Sequence, residues 1–378
     1  MNGQRRNLEL KSYCDDVEAV RSVSVRLGAR PGEPAEQSDM YFNVLRGRLK
    51  LRTTDRGGST DSQLIAYLRT DDASVRSSDF FVAPLDAASV EPLRDALKMS
   101  CGVIQSVIKR RERLQGEDFL VNLDAVDGVG LFFELEVFED RIGPDRAEEI
   151  AVRFRGLLGI GDELIIPWSY PQLANMYAVA AAHRTCLSKT LRPGRLFLLD
   201  GPSGSGKSTI VDQLQQRAVA GRLQFVKRYT TRPPRFEGDT EYTFISRVQF
   251  DAMRDAGEFI DTKDFLFSMS YGLAWSDVLP VLLSGTSVFA PLNWGNAVHV
   301  KRLFPEAIVI QVTADATDLR RRLESRGVHD KAQLDERIGN AFRFSGSSRY
   351  ADLQIDNRDG TLAGNIKSVE DFIAAAAA

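Results

Sequence analysis

The chain is poor in the residue types that build metal clusters and disulfide frameworks. Of its 378 residues, only three are cysteines and three are histidines. Cys14, Cys101 and Cys186 are far apart and form no Cys-x-x-Cys pair, which argues against a disulfide framework and against a cysteine-rich metal site. So few histidines also argue against a histidine-cluster metal site. This cysteine usage is typical of a protein from a reducing cytoplasm.

Long apolar runs and a strong net charge are also missing. No apolar stretch approaches the ~20 residues that span a bilayer, and the opening MNGQRRNLELK does not resemble a signal peptide. The formal net charge is −3, so the overall charge does not indicate nucleic acid binding. The length predicts two domains, and 43% hydrophobic residues are enough for their cores. We expect a soluble cytoplasmic protein whose partners are small molecules rather than membranes or nucleic acids.

A glycine-rich segment in the middle of the chain carries the clearest motif. Leu196–Asp200 predicts a buried strand, Gly201–Ser208 then matches G-x-x-x-x-G-K-[ST], and a segment with helical periodicity follows. In such a loop, backbone N–H groups surround phosphate oxygens, Lys207 adds a positive charge, and the Ser208 hydroxyl is a ligand for Mg²⁺. The motif therefore predicts ATP binding by Gly201, Ser203, Gly204, Ser205, Gly206, Lys207, Ser208 and Thr209.

Several N-terminal segments place charged residues on one face and apolar residues on the other. In Leu45–Arg52, four basic residues alternate with glycine and leucine. The alternation fits either an antiparallel sheet with a solvated outer face or a closed barrel with inward charges. In the barrel, cations would bind phosphates and carboxylates would hold Mg²⁺ or Mn²⁺. Helices are predicted at residues 16–27 and 90–100, with Pro92 at the start of the second. The alternation recurs at residues 7–11, 107–111, 121–124 and 133–137.

Residues 6–174 resemble the CYTH superfamily of triphosphate tunnel proteins, which includes class IV adenylyl cyclases, thiamine triphosphatase and tripolyphosphatases. The resemblance rests on Asn7–Lys11, where the family has Glu-x-Glu-x-Lys, and on residues 41–52, 109–112, 123–130, 133–136 and 162–170. It implies an eight-stranded tunnel that binds a triphosphate-bearing molecule with a divalent metal. Asn7 replaces the first glutamate, so cyclase, triphosphatase and sensor functions all stay open. The implied phosphate-binding residues are Lys11, Arg48, Lys50, Arg52, Arg69, Lys109 and Arg111, and the implied metal ligands are Glu9, Asp124, Glu134 and Glu136.

The C-terminal half alternates strands and helices, as in a parallel α/β sheet. Further strands are predicted at residues 225–229, 286–292 and 307–312. A loop with Arg232 and Arg235, followed by Tyr242, suits the capture of a phosphate monoester, although a solvated basic loop is the alternative. No aromatic platform accompanies the basic residues, which argues against RNA. A later arginine-dense helix and loop would supply cations for a transferred phosphoryl group: Arg322, Arg326 and Arg337.

Residues 194–373 resemble the guanylate kinase family and its relative, ribose 1,5-bisphosphate phosphokinase. The resemblance is carried by residues 230–235, 241–244, 257–260, 271–272, 303–305, 322–327 and 355–357. It implies ATP-dependent phosphorylation of a phosphate group, and the last segment adds Asn357 to the implied ATP site. In the family, two arginines and two tyrosines hold the acceptor phosphate. The matching residues here are Arg232, Arg235, Tyr242 and Tyr271.

The residues that would surround a guanine base depart from the family pattern. Arg228 and Leu273 stand where serine or threonine is expected, Asp261 aligns with the base-reading glutamate, and Asn293 lies near the Walker B aspartate. Leu273 forms no side-chain hydrogen bonds, and Arg228 cannot accept one. A site without base-reading groups discriminates poorly for guanine. The resemblance therefore favours a phosphorylated, non-guanine acceptor, with Arg228 and Asn293 in its binding site.

We predict an antiparallel β-tunnel domain at residues 1–174, a linker helix at 175–194 and an α/β P-loop kinase domain with a parallel sheet at 195–378. The leading hypothesis is a kinase that moves the γ-phosphoryl group of ATP to a phosphate of a small sugar or nucleotide. A second hypothesis gives the main chemistry to the tunnel, as a cyclase or triphosphatase. A third is a nucleotide-binding regulatory protein, which Asn7 and Asn293 motivate.

Overall fold

A computed structural model of the chain describes residues 5–69, 76–217, 223–234, 236–239, 242–265, 269–325 and 331–377. The chain divides into two compact units, residues 1–160 with 164–174 and residues 161–163 with 175–378. Within the described ranges, no helix combines the length and the apolar character needed to cross a membrane.

In the described residues, the first unit contains nine strands and four helices. The strands are β1 (Arg5–Tyr13), β2 (Arg30–Pro31), β3 (Ala35–Phe42), β4 (Arg48–Arg56), β5 (Ser59–Arg69), β6 (Arg76–Leu85), β7 (Val103–Gln115), β8 (Phe119–Val126) and β9 (Gly130–Val137). The helices are α1 (Val17–Arg26), α2 (Ala87–Cys101), α3 (Glu139–Ile142) and α4 (Pro144–Leu158).

Eight of these strands close into an antiparallel barrel. They pair in the order β7-β3-β4-β5-β6-β1-β9-β8, and β7 also pairs with β8, which completes the ring. The short β2 pairs with β7 alone. The eight-stranded tunnel expected from the sequence is therefore confirmed.

The barrel has a polar interior, and its hydrophobic core lies outside the ring of strands. On β3, the buried positions are alternate residues that include Gln37, Asp39 and Tyr41, whereas Glu36 and Ser38 are exposed. The apolar faces of β1, β8 and β9 form one hydrophobic cluster with side chains of α1 and α4. Two helices thus cover the outer apolar face, which leaves the inner face free to carry charges.

Two local predictions for this unit were wrong. Pro92 lies well inside α2, because Asp86 caps the helix earlier, where its carboxylate accepts the N–H of Ser89 at 2.9 Å. Strand β4 begins at Arg48 rather than at Leu45. The segment before it turns through Gly47, which has a φ of +70°.

The second unit contains the remaining helices and strands. Its helices are α5 (Tyr170–Ser188, which begins in the first unit), α6 (Lys207–Gln215), α7 (Arg247–Asp255), α8 (Trp275–Leu283), α9 (Ala297–Leu303), α10 (Ala316–Ser325), α11 (Lys331–Arg343) and α12 (Leu362–Ala377). Its strands are β10 (Leu196–Asp200), β11 (Leu223–Phe225), β12 (Arg228–Thr230), β13 (Tyr242–Phe244), β14 (Phe259–Phe265), β15 (Met269–Ala274), β16 (Ser287–Pro291), β17 (Ile308–Thr313) and β18 (Leu353–Asp356).

These strands form two sheets. Five parallel strands pair in the order β11-β16-β10-β17-β18, which confirms the expected parallel sheet and places β10 at its centre. A smaller sheet has the order β13-β12-β15-β14. The single strand predicted at residues 225–229 was wrong, because β11 and β12 belong to different sheets. The chain leaves the parallel sheet at Val226, whose N–H donates to the Phe289 oxygen at 3.2 Å.

Candidate functional site

Two glycines of the loop after β10 adopt conformations that suit glycine alone. Gly201 has a φ of +145°, and a Cβ there would lie 2.2 Å from the backbone oxygen of Val312. Gly206 has a φ of +100°, and its Cβ would lie 2.3 Å from Asn357 Nδ2. The loop Gly201–Ser208 joins β10 to α6, which is the strand–loop–helix order that a phosphate-binding loop requires.

Lys207 and Ser208 begin α6, where backbone N–H groups and the helix dipole favour an anion. Lys207 Nζ donates to the backbone oxygens of Gly201 at 2.5 Å and Pro202 at 2.8 Å, so the ammonium group lies against the loop. The Ser208 side chain is exposed in the first turn. Its hydroxyl therefore fits the position of an Mg²⁺ ligand. The same short segment brings together the other predicted ATP-binding residues Ser203, Gly204, Ser205, Gly206 and Thr209.

Asn357 follows β18 and contacts the phosphate-binding loop. Its Nδ2 donates to the Ser205 backbone oxygen at 2.8 Å. Arg322 Nη2 in turn donates to the backbone oxygen of Asn357 at 2.8 Å. Arg322 is thus connected to the loop through Asn357. Arg337 is exposed on α11, and the predicted Arg326 lies outside the described residues.

Three of the four predicted phosphate-clamp residues lie together at the smaller sheet: Tyr242 on β13, Tyr271 on β15 and Arg232 two residues after β12. The rings of Tyr242 and Tyr271 are 5.4 Å apart in an edge-to-face arrangement. The guanidinium of Arg232 lies 5.4 Å from the Tyr242 ring centroid, and its Nη2 donates to Asp239 at 3.2 Å. The fourth residue, Arg235, lies outside the described residues. A guanidinium beside two phenol groups can bind a phosphate monoester.

Next to this clamp, Arg228 and Asp261 form a buried ion pair. Arg228 Nη2 lies 3.7 Å from Asp261 Oδ1, and the guanidinium is 5.9 Å from the Tyr271 ring centroid. Asp261 Oδ2 accepts the backbone N–H of Asn293 at 3.0 Å, and Asn293 Nδ2 donates to the backbone oxygen of Tyr271 at 3.4 Å. Among described residues, Arg228 Nε, Arg228 Nη2 and Asp261 Oδ1 have no hydrogen-bond partner. Because such buried groups are costly, the pocket complements a ligand that offers both acceptors and donors.

Two further charged residues near these sites were missed by the sequence analysis. Asp200 is fully buried at the end of β10, where it accepts the Gly201 N–H at 2.9 Å and the Ser347 hydroxyl at 3.1 Å. Burial raises the pKa of its carboxyl to about 6. Lys263 is half-buried on β14, and its Nζ donates to the Trp294 backbone oxygen. A carboxylate at the end of a predicted buried strand is unusual, so the sequence could have indicated Asp200 as a functional residue. No sequence pattern indicated Lys263.

Inside the barrel, Asp39 of β3 binds two cations of β4. It accepts from Lys50 Nζ at 2.9 Å and from Arg52 Nε at 2.6 Å. Burial raises the pKa of Asp39, but Arg52 and Lys50 outweigh burial and hold this pKa well below its usual range. Burial, with the charge of Arg52, lowers the pKa of Lys50 to about 7. The positive charge of Lys50 therefore depends on pH near neutrality.

Asp124 of β8 is the centre of a second cluster of the same kind. It accepts from Lys109 Nζ at 3.2 Å and from Arg111 Nε at 2.5 Å, both on β7. The Tyr170 hydroxyl also donates to it, at 2.7 Å. Since three side chains already donate to this buried carboxylate, Asp124 as a metal ligand stays a prediction.

Lys11 of β1 extends this network to Glu134 on the neighbouring strand β9, which lies directly opposite it in the pairing. Its Nζ forms an ion pair with Glu134 at 3.1 Å and lies 3.8 Å from the Tyr170 ring centroid. Glu134 also pairs with Arg111 at 2.5 Å. The predicted metal ligand Glu134 is thus compensated by two cations of the chain.

Glu136 is held by two amides rather than by cations. Asn7 Nδ2 donates to it at 3.2 Å and Asn122 Nδ2 at 2.8 Å. Glu9 lies opposite Glu136 in the pairing of β1 with β9, so both side chains are on one face. The described residues contain no group of three or more His, Cys, Asp or Glu side chains arranged for a metal. The buried Asn122 Oδ1, from the same amide that contacts Glu136, has no hydrogen-bond partner among described residues, and Glu9 and Glu136 as metal ligands stay a prediction.

The barrel encloses a cavity of about 190 Å³. Five of the predicted phosphate-binding residues line it: Lys11, Lys50, Arg52, Lys109 and Arg111. Arg48 is half-buried and donates to Gln172 at 3.4 Å, whereas Arg69 ends β5 opposite Ser78. Arg48 does not line the cavity as described, and the assignment of both residues to phosphate stays a prediction. The gathering of five cations with paired carboxylates makes the cavity a candidate anion site.

Family models match both halves of the chain. The guanylate kinase model matches residues 193–376, and the CYTH domain model matches residues 5–170. Among curated proteins, the guanylate kinase of Alkalilimnicola ehrlichii is 33% identical over 178 residues, which cover 45% of this chain and 85% of that protein.

Solved structures also resemble parts of the chain. The guanylate kinase of Anaplasma phagocytophilum is 20% identical with a TM-score of 0.38, and the match covers 49% of this chain and 87% of that one. The PH1012 protein of Pyrococcus horikoshii is 22% identical with a TM-score of 0.38, and the match covers 44% of this chain and 98% of that one.

Proposed function

Because the chain belongs to the guanylate kinase family through its C-terminal half and carries a CYTH domain in its N-terminal half, we propose that it is an ATP-dependent kinase that phosphorylates a phosphate group. The observation that carries the proposal is the placement of the Arg232, Tyr242 and Tyr271 clamp in the same unit as a phosphate-binding loop. Such a pair of sites serves a donor triphosphate and an acceptor monoester.

The proposed reaction moves one phosphoryl group. A non-bridging oxygen of the acceptor phosphate forms a bond to the γ-phosphorus of ATP, and the bond from that phosphorus to the bridging oxygen breaks. ADP leaves with the electron pair. No protein base is needed, because the acceptor phosphate is already an anionic nucleophile. Lys207 and the loop N–H groups hold the donor, Arg322 is a candidate for stabilising the transferred charge, and bound Mg²⁺, with Ser208 as a ligand, would neutralise the β- and γ-phosphates.

For the acceptor, we propose a sugar bisphosphate of the ribose 1,5-bisphosphate kind. The clamp would bind the phosphate that reacts. Arg228, with two buried N–H groups unpaired among described residues, would bind the second phosphate, and Asp261 Oδ1 would accept a sugar hydroxyl. Leu273 is fully buried and adds no polar group to this pocket.

GMP is a second candidate acceptor, and the same pair of residues favours it. The edge of guanine offers O6 and N7 as acceptors and its amino group as a donor. Arg228 can donate to the first two, and Asp261 can accept from the third. The aspartate that aligns with the family's base-reading glutamate would then keep that role.

Acceptor choice is tested with ATP, Mg²⁺ and a panel of ribose 1,5-bisphosphate, ribose 5-phosphate and GMP. We expect the bisphosphate to give the highest kcat/KM. Arg228→Met should lower its kcat/KM about 10- to 100-fold, since a hydrogen bond to a charged group is lost, and should leave ribose 5-phosphate nearly unaffected. GMP as the best acceptor would overturn the bisphosphate proposal and leave the kinase proposal standing.

For the CYTH domain, we propose binding of a triphosphate-bearing molecule in the barrel cavity, with a divalent cation at Glu9 and Glu136. The five lining cations would contact the phosphates. A bound polyanion raises the pKa of a neighbouring lysine, so Lys50 should take up a proton on binding at a pH above its pKa of about 7.

This uptake is measured at pH 8 by titration calorimetry of tripolyphosphate in two buffers that differ in ionisation enthalpy. We expect the full chain to bind as much as one proton per bound tripolyphosphate. Lys50→Met should lose most of this proton uptake. Lys367→Met, which removes an exposed lysine of α12, is the control and should bind as the unaltered chain does. Tripolyphosphate binding that is equally strong and proton-free in all three proteins would contradict the proposed site.

A further inference from the structure

A lysine that the proposed reaction does not use lies next to the acceptor clamp. The Cα of Lys263 on β14 is opposite that of Tyr271 on β15 in the antiparallel pairing. Side chains of such opposite residues leave the sheet on the same face, with Cβ atoms about 4.5–5.5 Å apart. Lys263 therefore shares a face of the smaller sheet with a tyrosine assigned to the acceptor phosphate.

The charged groups around Lys263 come from both substrate sites. Asp261, two residues earlier on the same strand, belongs to the acceptor pocket with Arg228. Asp200 lies at the base of the phosphate-binding loop, where the positive charge of Lys207 opposes the effect of burial on its pKa. Burial lowers the pKa of Lys263 to about 8; Asp200 and Asp261 oppose this shift and Arg228 adds to it. Lys263 thus responds to carboxylates of the donor and acceptor sites alike.

Two of the contacts that hold Lys263 are with uncharged groups. Its Nζ donates to the backbone oxygen of Trp294 and lies 3.7 Å from the centroid of the Phe344 ring. A phosphate oxygen is a stronger partner for an ammonium group than either a carbonyl oxygen or a ring face. The flexible four-carbon stem lets the ammonium exchange these contacts by rotation about its own bonds.

We propose that Lys263 is a second catalytic cation, which binds an oxygen of the transferred phosphoryl group once ATP and the acceptor are both present. The inference rests on the proposed kinase function and adds a residue to it. Lys207 approaches the phosphoryl group from the donor loop, whereas Lys263 approaches it from the sheet that carries the acceptor clamp. A positive charge there stabilises the charge that spreads over the phosphoryl oxygens during transfer.

The test compares Lys263→Met and Lys263→Arg with the unaltered full chain, using ATP, Mg²⁺ and the best acceptor of the panel. Lys263→Met should lower kcat about 100-fold with little change in KM for ATP, as expected for an interaction made in the transition state. Lys263→Arg should stay within about tenfold of the unaltered chain, because it keeps the charge. Lys301→Met is the control: Lys301 Nζ donates to the backbone oxygen of Ala307 at 2.6 Å and also pairs with Asp352 at 2.6 Å, and kcat should not change.

The dependence of kcat on pH separates catalysis from structural support. Lysine loses its charge as pH rises through its pKa, so kcat of the unaltered chain should fall above about pH 8, and Lys263→Arg should abolish this fall because arginine stays charged. Full activity of Lys263→Met, or the same fall of kcat above about pH 8 in Lys263→Arg, would overturn the role of Lys263 and leave the kinase proposal standing. If the unaltered chain forms no ADP with any acceptor, the kinase proposal fails and the role of Lys263 fails with it.

Discussion

Lys207→Met is expected to lower acceptor-dependent ADP formation about 1,000-fold, within the range seen when a phosphoryl-transfer enzyme loses a catalytic cation. The backbone N–H groups at the start of α6 would still bind ATP, since the substitution leaves them in place. The loss should therefore be larger in kcat than in KM for ATP. A coupled assay for ADP, run with and without the acceptor, measures both constants.

A double variant of the barrel, compared with Lys207→Met, assigns this activity to one domain. The double variant Glu134→Gln with Glu136→Gln removes two carboxylates from the barrel and should leave acceptor-dependent ADP formation unchanged. Any cyclic nucleotide or acceptor-independent phosphate release should be lost in that double variant and kept in Lys207→Met. If Lys207→Met retained ADP formation while the double variant lost it, the tunnel would be the main enzyme of the chain.

Asp124→Asn is expected to destabilise the barrel by about 3–5 kcal/mol. The substitution removes the carboxylate that Lys109, Arg111 and Tyr170 all contact, and it leaves two buried cations without full compensation. Urea-dependent hydrogen exchange, followed by mass spectrometry on peptides of residues 5–69 and 76–160, reports the free energy of unfolding for the barrel alone. This local measurement suits a chain of two units, which need not unfold in one step.

Asp61→Asn is the matched control for this stability measurement. Asp61 of β5 also pairs with an arginine of the neighbouring strand, Arg56, but both side chains are largely exposed. An exposed ion pair contributes about 0–1 kcal/mol, so the control should change the free energy of unfolding by no more than that. Equal effects of Asp61→Asn and Asp124→Asn would show that the interior network does not support the barrel.

Alternation alone fitted an open sheet as well as a barrel, and the resemblance to the CYTH superfamily favoured the barrel. Neither identified the partners of the charges inside it. Four cations stood out because consecutive inward positions on each of two strands are basic. They are Lys50 and Arg52 on β4, and Lys109 and Arg111 on β7. Asp39 did not stand out, since Glu36 and Asp39 among the polar residues of β3 are an ordinary pattern for a solvated strand. Which acid pairs with which cation depends on the register of neighbouring strands, and no local pattern encodes that register.

In the second unit, sequence motifs predicted the phosphate-binding loop and the clamp, whereas the position of Lys263 beside Tyr271 emerged only from the fold. Gly201, Gly206 and Lys207 follow a spacing that the loop geometry imposes. Lys263 has no such spacing: its place beside Tyr271 results from the pairing of β14 with β15. The split of residues 225–229 into two strands also escaped prediction, because this mixture of apolar and basic residues gives no sign of a change of sheet.

Identifying the product by ³¹P NMR tests the central claim most directly. The full chain is incubated with ATP, Mg²⁺ and the best acceptor of the panel, and the spectrum is followed as ATP is consumed. The account predicts the signals of ADP together with a new phosphoanhydride on the acceptor, in equal amounts, and neither in Lys207→Met. ADP formed together with inorganic phosphate, or a cyclic nucleotide formed together with pyrophosphate, with the acceptor unchanged, would contradict it.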